Sequence, residues 1–370
     1  MNESIKHRVA DQIIADYVDS GKLKPGDKLP TVRELKDIYK TSDTTVQHAL
    51  NILELWGLVR KRHGSGSYLC EPNSMQNGQR AKMIGCISSF ADNDIAVRMY
   101  VGIEKVCRKN AYCMIVANTQ DNYESEREQV KRMVDMGCQA IVLYPVPRTA
   151  EQLRNDYLRN SFKDFPIVLI DNAFPEQGVS QVVFDNRLAG RDMAEMLIKE
   201  GHKRIAFMSQ DNNLQVRSVR DRHKGFLEAL QDHGIEFKEE DHWIISSSES
   251  VYSSPQESVQ KNIEEKLAGW RKSKDHPTAA IAVEDMTAIY TINVAQDFGI
   301  KVPDELRVVG FDDLSVARLF RPSFPTTSPD FARAGSIAAE MAIEQAKRGD
   351  PARSSVFINT LPVPIKRRKA

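Results

Sequence analysis

The sequence predicts an α/β protein in which a small helical module precedes a core of parallel sheets flanked by helices. Beyond residue 81, short apolar runs such as "AIVLYPV" alternate with amphipathic stretches of helical length, which is typical of parallel sheets covered on both faces. These roughly 290 residues hold too many apolar runs for one comfortable sheet, so two lobes are expected. The first 70 residues instead show helical periodicity and end in a basic segment of alternating polarity.

The composition is that of an ordinary soluble protein. Of the 370 residues, 51 are basic and 51 acidic, which argues against a chain coated in nucleic acid but allows one small basic module. No run of 18 apolar residues occurs and the start lacks the features of a secretion signal, so we expect a cytoplasmic location and no membrane partner. The five cysteines lack paired metal spacing and are expected to be reduced.

The first 40 residues predict two helices joined by a turn. In the first helix Val9 and Ile13 recur at helical spacing, and Gly21 lies just past its end. Thr31 and Glu34 have the spacing of a capping box at the start of the second helix. The second helix is expected to bury Val32, Leu35 and Ile38.

A third helix and a hairpin complete the first module. Ser42 is predicted to cap the helix "DTTVQHALNILELWG", and "GLVRKRHGSGSYL" alternates around a Gly-Ser-Gly turn as a short hairpin does. Helix, turn, helix and basic hairpin is the plan of a winged helix-turn-helix, whose third helix can enter the major groove of DNA. Phosphate contact is expected of the hairpin cations Arg60, Lys61 and Arg62, although such a run can also be only a solvated charge cluster.

Residues 5–69 resemble the GntR-type winged-helix domain. The resemblance rests on "GKLKPGDKLPTVREL", "TTVQHALNILELWGLV" and the hairpin "KRHGSGSYL". It implies that residues 1–70 form a DNA-binding domain that contacts double-stranded operator DNA. The residues that it implicates are Arg33, the hydroxyl residues Ser42, Thr44 and Thr45, and the hairpin tip His63 and Gly64.

Two positions depart from that family's pattern, since Asp43 and Gln47 stand where many members place arginine. Asp43 could accept a hydrogen bond from cytosine, and Gln47 could pair with adenine, so we expect an operator that differs from the family's commoner ones. Alternatively, Asp43 only stabilises the helix start and points away from DNA. His48 is a further candidate, although a solvent-facing helix residue is the commoner role. With 11 basic and 9 acidic residues the module is weakly basic, which predicts a homodimer with two DNA-binding heads.

Polar residues follow many of the predicted strands of the core. In open α/β sheets, ligands bind beyond the carboxyl ends of the strands, so these residues are the candidates for an effector site. Carboxylates and an arginine aimed into one cleft suit a polyol. The candidates are Ser88, Ser89, Asp92, Asn118 and Asp171 in the first lobe, Ser218, Arg222, Glu284, Asp285 and Asp312 in the second, and Asp330 in a late crossover.

Residues 81–365 resemble the effector-binding core of the LacI/GalR repressors, which is itself periplasmic-binding-protein-like. The resemblance rests on "VVFDNRLAGRDMAEMLIKEGHKRIAFMS", "GIKVPDELRVVGFDDL" and "PTTSPDFARAG" among others. It implies an effector-binding and dimerisation domain over residues 81–370, joined by a linker at 71–80. The family's ligand-contacting positions fall on Asp171, Ser218, Arg222, Glu284, Asp312 and Asp330.

The effector class stays open. Glu284 stands where an asparagine is common in that family, and residues 93–96 replace a segment that usually supplies an aromatic ring. A different sugar, a sugar acid and a cationic compound are therefore all compatible with the site. Asp285 alternatively caps the following helix, and Tyr144 is more often a packing residue than a sugar-stacking one.

The sequence as a whole predicts a ligand-responsive transcriptional regulator. Release of DNA on binding a small carbohydrate is the default direction, with corepression and activation left open. The alternative is a winged-helix head fused to an enzyme domain that acts on a small metabolite. The sequence shows no phosphate-binding Gly-Lys-Ser/Thr loop, no nucleophile elbow and no metal spacing among its eight histidines, so we expect no catalytic residues, cofactor or metal.

Overall fold

The computed structural model divides the chain into two compact units, Met1–Ala81 and Lys82–Ala370. Among the described residues, no helix has the length and apolar character needed to cross a lipid bilayer. The structure describes residues 5–55, 58–62, 65–70, 82–89, 93–172, 178–210, 216–245, 256–270, 272, 275–348 and 357–367.

The first unit contains three helices and a hairpin, as the sequence predicts. The capping box is confirmed, since the Thr31 amide donates to Glu34 Oε2 at 2.7 Å and the Glu34 amide donates to Thr31 Oγ1. The Ser42 cap is confirmed by the hydrogen bond from the Thr45 amide to its Oγ. The elements are α1 (Ile5–Ile13, continued by a wider turn over Ile14–Asp19), α2 (Val32–Tyr39), α3 (Asp43–Leu55), β1 (Val59–Arg62) and β2 (Gly66–Leu69).

One packing prediction for this unit is wrong. Leu35 of α2 is fully buried, but Ile38, one turn later, is 50% exposed. Helical periodicity identifies the face that Ile38 shares with Leu35, but not how far the neighbouring helices extend along that face. The buried core of the unit is formed chiefly by Val9, Ile13, Leu29, Leu35, Val46, Leu50 and Leu53.

The second unit begins with a six-stranded sheet that we call lobe 1. Its strand order is β13-β7-β6-β5-β3-β4, and each adjacent pair is parallel. The strands are β3 (Lys82–Ser88), β4 (Tyr112–Asn118), β5 (Ala140–Tyr144), β6 (Ile167–Ile170), β7 (Ser180–Phe184) and β13 (Ile358–Leu361). The helices are α4 (Asp94–Lys109), α5 (Tyr123–Asp135), α6 (Ala150–Arg154), α7 (Tyr157–Asn160) and α13 (Phe331–Arg348).

A four-stranded parallel sheet, ordered β11-β10-β8-β9, forms lobe 2. Because α13 and β13 belong to lobe 1, the chain crosses between the lobes near residues 185, 329 and 362, and a short antiparallel pair, β12 with β14, lies beside the last two crossovers. Two parallel sheets flanked by helices confirm the predicted fold class. The strands are β8 (Ile205–Gln210), β9 (His242–Ile245), β10 (Ala279–Ala282), β11 (Arg307–Val309), β12 (Thr326–Thr327) and β14 (Ile365–Lys366); the helices are α8 (Asn186–Lys199), α9 (Arg217–Asp232), α10 (Gln256–Trp270), α11 (Asp285–Asp297) and α12 (Ser315–Leu319).

Helices α8 and α9 pack with their backbones in contact. A Cβ atom added to Gly225 of α9 would lie 1.8 Å from the carbonyl oxygen of Arg187, and one added to Gly190 of α8 would lie 2.0 Å from that of Arg222. Both sites therefore require the absence of a side chain. The close contact between α8 and α9 thereby fixes the position of Arg222, on α9, relative to the sheet of lobe 2.

An ion network is buried in lobe 1. The guanidinium of Arg148 contacts the carboxylates of Glu126 and Asp156, and all three side chains are fully buried. Tyr157 Oη and the Val146 amide also donate to Glu126, both at 2.6 Å. Burial raises the pKa of Glu126, and Arg148 opposes that rise. Each member of the network thus offsets part of the cost of burying the others.

Two histidines stack at the edge of lobe 2. The rings of His223 and His242 lie 5.0 Å apart at 20°, and His223 also contacts Phe207. Burial, with a smaller contribution from His242, lowers the pKa of His223 to about 4. Burial likewise lowers the pKa of His242.

We expect this pair to make the fold acid-sensitive. Between about pH 6.5 and pH 4 the unfolded chain takes up a proton at position 223 and the folded chain does not, so stability falls as the pH drops through this window. In the native chain the free energy of unfolding should be lower at pH 5 than at pH 7. In the His223→Gln variant this difference, measured by urea unfolding at the two pH values, should be smaller by on the order of 1–2 kcal/mol. The exposed His48→Gln should keep it, and equal slopes in the two variants would contradict the assignment.

Candidate functional sites

One face of α3 is exposed to solvent. Asp43, Thr44, Gln47 and His48 are exposed, and their spacing places them on one side of the helix, opposite the buried Val46. Ser42 at the helix start is exposed as well, and Thr45 is half-buried. Most of the residues predicted to face DNA therefore share one accessible helix surface.

Asp43 is held by an ion pair with α2. Its Oδ1 lies 3.3 Å from Lys36 Nζ, and its side chain remains 63% exposed. The pair and the position in the first turn both stabilise the helix start, in agreement with the structural alternative for this residue. The carboxylate is still accessible enough to meet a base edge.

The three cations of the hairpin differ in their contacts. Arg60 is exposed, and Arg62 lies over the ring of Tyr68 at 4.7 Å. Lys61 Nζ contacts Asn51 and Glu54 of α3, so it braces the hairpin against the helix. Arg33, at the start of α2, is exposed, whereas His63 and Gly64 lie outside the described residues.

Arg222 lies at the centre of a buried polar cluster, which we call the cleft cluster and define as Tyr144, Asp171, Asn186, Arg222 and Asp312. Its Nε donates to Asn186 Oδ1 at 2.9 Å and its Nη1 to the carbonyl oxygen of Val283 at 2.7 Å. Its guanidinium stacks on Phe311 at 3.6 Å and lies 3.5 Å from Asp312 Oδ1. These contacts fix the plane of the guanidinium.

The two carboxylates of the cleft cluster come from different lobes. Asp171 follows β6 with a φ of 62° and accepts hydrogen bonds from Tyr144 Oη at 3.1 Å and Asn186 Nδ2 at 3.4 Å. Asp312 follows β11 with a φ of 94°. Burial raises the pKa of both carboxyl groups, and the positive charge of Arg222 opposes that rise. Arg222 thus pairs directly with Asp312 and is linked to Asp171 through Asn186, an arrangement that favours ligands with hydroxyl or cationic donors.

Hydrogen bonds join the lobes around this cluster. Ser218 Oγ of lobe 2 donates to Asn172 Oδ1 of lobe 1 at 3.0 Å. Ser315 Oγ donates to Asp94 Oδ1 at 2.7 Å, and Arg98 Nη2 donates to the carbonyl oxygen of Asp312 at 2.8 Å. The spacing of the lobes therefore depends on polar contacts at the rim of the cleft.

Some buried polar atoms at the cleft edge have no hydrogen-bond partner in the described part of the chain. Ser89 Oγ follows β3, Asn93 Nδ2 begins α4, and Asp312 Oδ1 accepts no hydrogen bond. Ser88, beside Ser89, is also buried. Because buried polar groups are normally satisfied, these atoms are suited to contact a polar ligand.

The remaining predicted effector residues that the structure describes make hydrogen bonds with groups other than Arg222. Glu284 is buried and accepts a hydrogen bond from Thr287 Oγ1. Asp285 is fully buried, and its oxygens accept hydrogen bonds from the Leu314 amide at 2.7 Å and Thr326 Oγ1 at 2.5 Å, which gives it a structural role. Asn118 ends the edge strand β4 and accepts from the Gln120 amide, Asp330 caps α13 through the Arg333 amide, and Asp92 lies outside the described residues.

Sequence reasoning missed several members of the cluster. Within the cluster, Tyr144 was assigned to packing and Asn186 was not among the candidates; Phe311 and Arg98, which contact the cluster from outside it, were not among the candidates either. Tyr144 and Phe311 both lie at the carboxyl end of a strand, so the rule that identified Asp171 could have included them. Arg98 lies in the second turn of α4, and no pattern in the sequence indicates that it contacts Asp312.

Comparisons with known proteins separate the same two modules. Residues 5–69 match the model of the gntR family of bacterial regulatory proteins, and residues 194–368 match that of a periplasmic binding protein-like domain. The chain is 28% identical over 342 residues to an arabinose metabolism transcriptional repressor of Geobacillus stearothermophilus, covering 92% of this chain and 90% of that one.

Solved structures share the fold of the core. The transcription regulator CcpA of Lactococcus lactis superposes with a TM-score of 0.66 at 21% identity, over 78% of this chain and 98% of that one. A periplasmic binding protein/LacI transcriptional regulator from Alkaliphilus metalliredigens, complexed with D-xylulofuranose, superposes with a TM-score of 0.61 at 18% identity over the same shares.

Proposed function

Because residues 5–69 belong to the gntR family of bacterial regulatory proteins and residues 194–368 to the periplasmic binding protein-like domain, we propose that the chain is a transcriptional repressor controlled by a small carbohydrate. The relatives described above are repressors and regulators, which favours this function over that of an enzyme fused to a DNA-binding head. The single observation that carries the effector assignment is the buried Arg222, which pairs with Asp312 of lobe 2 and is linked through Asn186 to Asp171 of lobe 1.

The cleft cluster suits a polyol for physical reasons. Asp171 and Asp312 can each accept hydrogen bonds from two neighbouring hydroxyl groups, and Arg222 can donate to a ring or hydroxyl oxygen. The arabinose repressor among the relatives and the D-xylulofuranose in one neighbour support a pentose or a compound of similar size. Ser88, Ser89, Ser218 and Glu284 complete the proposed site at the strand ends, with Asp92, Asn118 and Asp330 as further predicted members, whereas Asp285 supports the site from the structural position described above.

Ligand binding would change DNA affinity by shifting the spacing of the lobes. Asp171 lies in lobe 1 and Asp312 in lobe 2, so a ligand that contacts both stabilises one lobe arrangement over others. The differential affinity for the two arrangements sets the size of the response. Residues 71–80 would carry the change to the DNA-binding domain, and release of operator DNA is the proposed direction.

Thermal unfolding against a panel of pentoses, hexoses, disaccharides and sugar acids tests the effector assignment. A ligand at one hundred times its dissociation constant should stabilise the folded state by about 2.7 kcal/mol. The Arg222→Met and Asp171→Asn variants should lose this shift, whereas Arg187→Met, at an exposed ion pair, should keep it. A shift that survives both cleft substitutions would place the ligand elsewhere.

Operator recognition is proposed to use the exposed face of α3. The assigned base-facing residues are Asp43, Gln47 and His48. The phosphate-facing ones are Ser42, Thr44, Thr45, Arg60, Lys61 and Arg62. Arg33 is assigned to phosphate or base contact, and the hairpin tip His63 and Gly64 to the minor groove. Gln47→Ala should weaken the free energy of operator binding by about 1–3 kcal/mol and reduce the preference for one base at a single operator position.

Arg60→Ala should weaken binding to all DNA sequences alike and lower the salt dependence of binding by about one counterion, as measured by fluorescence anisotropy on selected operators. Guanine preference at the positions that Asp43 and Gln47 face would contradict this assignment.

A homodimer is proposed to present two DNA-binding heads. Val97 and Val101 lie one turn apart on α4 and are 51% and 60% exposed, and Val116 on the edge strand β4 is 43% exposed. An apolar surface on neighbouring elements is suited to a second copy of the chain. Sedimentation equilibrium of the Val101→Glu variant should show a larger share of monomer than the native chain, and an unchanged distribution would place the interface elsewhere.

A further inference from the structure

A cavity of about 410 Å³ lies beside the crossovers between the lobes. Its wall carries four cations, Arg98, Arg318, Arg333 and Lys366, and one acid, Asp330. No member of the cleft cluster lines it. We call it the crossover cavity.

The four cations differ in how their charge is compensated. Arg98 pairs with Asp94, and Arg318 pairs with Asp313 at 3.1 Å. Arg333 and Lys366 are exposed, and in the described part of the chain neither makes an ion pair. Asp330 faces the amide end of α13, where it accepts a hydrogen bond from the Arg333 amide. The cavity wall therefore keeps an excess of positive charge.

Both lobes contribute to this excess. Arg98 lies on α4 and Arg333 on α13, both in lobe 1, whereas Arg318 lies on α12 of lobe 2 and Lys366 on β14 beside it. An anion that contacts cations from both sides would bridge the crossovers. Arg98 also donates to the carbonyl oxygen of Asp312, so such an anion would lie one residue away from the cleft cluster.

We propose that the crossover cavity binds a small phosphorylated compound, at a site that adjoins the effector cleft and includes Asp330, a residue also assigned to the effector site. Guanidinium groups bind phosphate through two parallel hydrogen bonds, and Lys366 adds a point charge that makes no ion pair among the described residues. The volume is sufficient for a phosphate group with a short organic chain. The inference does not depend on the identity of the carbohydrate effector.

Isothermal titration calorimetry of the full chain at low ionic strength tests the site with three probes: inorganic phosphate, glycerol 3-phosphate and glycerol. We expect binding of both phosphates and none of glycerol, with a tighter constant for glycerol 3-phosphate if the organic chain also contacts the wall. The variant Arg333→Glu/Lys366→Glu should weaken phosphate binding at least tenfold. The control Lys163→Glu/Lys224→Glu changes two exposed lysines outside the cavity by the same charge and should bind as the native chain does.

Hydrogen exchange then locates the bound anion. Saturating phosphate should slow exchange in the segments 328–334 and 361–366, which form the cavity wall, more than at residues 171 and 172 of the cleft. Protection confined to the cleft, equal weakening in the two double variants, or no phosphate binding at millimolar concentration would each overturn the proposal. Binding of inorganic phosphate without binding of glycerol 3-phosphate would also overturn the proposal, because the proposed ligand carries an organic chain.

Discussion

Replacement of Arg148 by methionine is expected to lower the free energy of unfolding by about 3–5 kcal/mol, because it leaves two buried carboxylates without their cation. Glu126 and Asp156 are held by this one guanidinium in a fully buried network. Burial already raises the pKa of Glu126, and the variant removes the positive charge that opposes that rise. Urea unfolding followed by circular dichroism at pH 7 measures the loss.

Arg187→Met is the matched control for this prediction. Arg187 also forms a two-pronged pair with a carboxylate, Glu228, but its side chain is 55% exposed. Such surface pairs contribute about 0–1 kcal/mol, so the control should unfold almost as the native chain does. Similar losses in both variants would show that burial of the Arg148 network does not decide its contribution.

Gly225→Ala is expected to destabilise lobe 2, although alanine is normally the better helix former. The added Cβ would lie 1.8 Å from the backbone oxygen of Arg187, so α8 and α9 must separate. Overpacking of this kind costs about 1–3 kcal/mol and occasionally more. Because Arg222 lies one turn before Gly225 on α9, the same displacement should weaken effector binding.

Gly269→Ala is expected to stabilise the protein, in contrast to Gly225→Ala. Gly269 also lies in a helix, α10, but a Cβ there would meet nothing within 4 Å. Helix propensity then predicts a gain of up to about 1 kcal/mol. Paired thermal and urea unfolding of the two variants separates the contact from propensity, and a stabilised Gly225→Ala would exclude the close helix crossing.

Local patterns in the sequence were sufficient to predict the elements and part of the site. Apolar runs located β3 to β11, since a buried parallel strand must be apolar on both faces. The capping residues Thr31 and Ser42 were predicted because their side chains bond within three residues. Asp171 and Asp312 were proposed through one topological rule, that ligands bind at the carboxyl ends of strands, and Arg222 through its place near the start of α9.

The remaining features depend on residues that are far apart in the chain. Arg98 donates to Asp312 across 214 positions, and no local pattern announces that contact. In the sequence Arg148 resembles an ordinary surface cation, whereas in the folded chain it is buried and pairs with Glu126 and Asp156. Asp285 looks like a ligand residue by position, yet two hydrogen bonds within lobe 2 engage its oxygens. These pairings are set by tertiary packing, which periodicity does not encode.

The order of strands in lobe 1 has a consequence for synthesis of the chain on the ribosome. Strand β7 ends at Phe184, but its outer partner β13 ends only at Leu361. At translation rates of about 5–20 residues per second, the edge of β7 stays unpaired for roughly 10–35 s. During that interval the apolar edge of β7 is exposed, and so is the face of α4 that later packs against α13. Both surfaces are accessible to chaperones or to other nascent chains. Lobe 2 is synthesised in full meanwhile, so the first lobe to begin is the last to close.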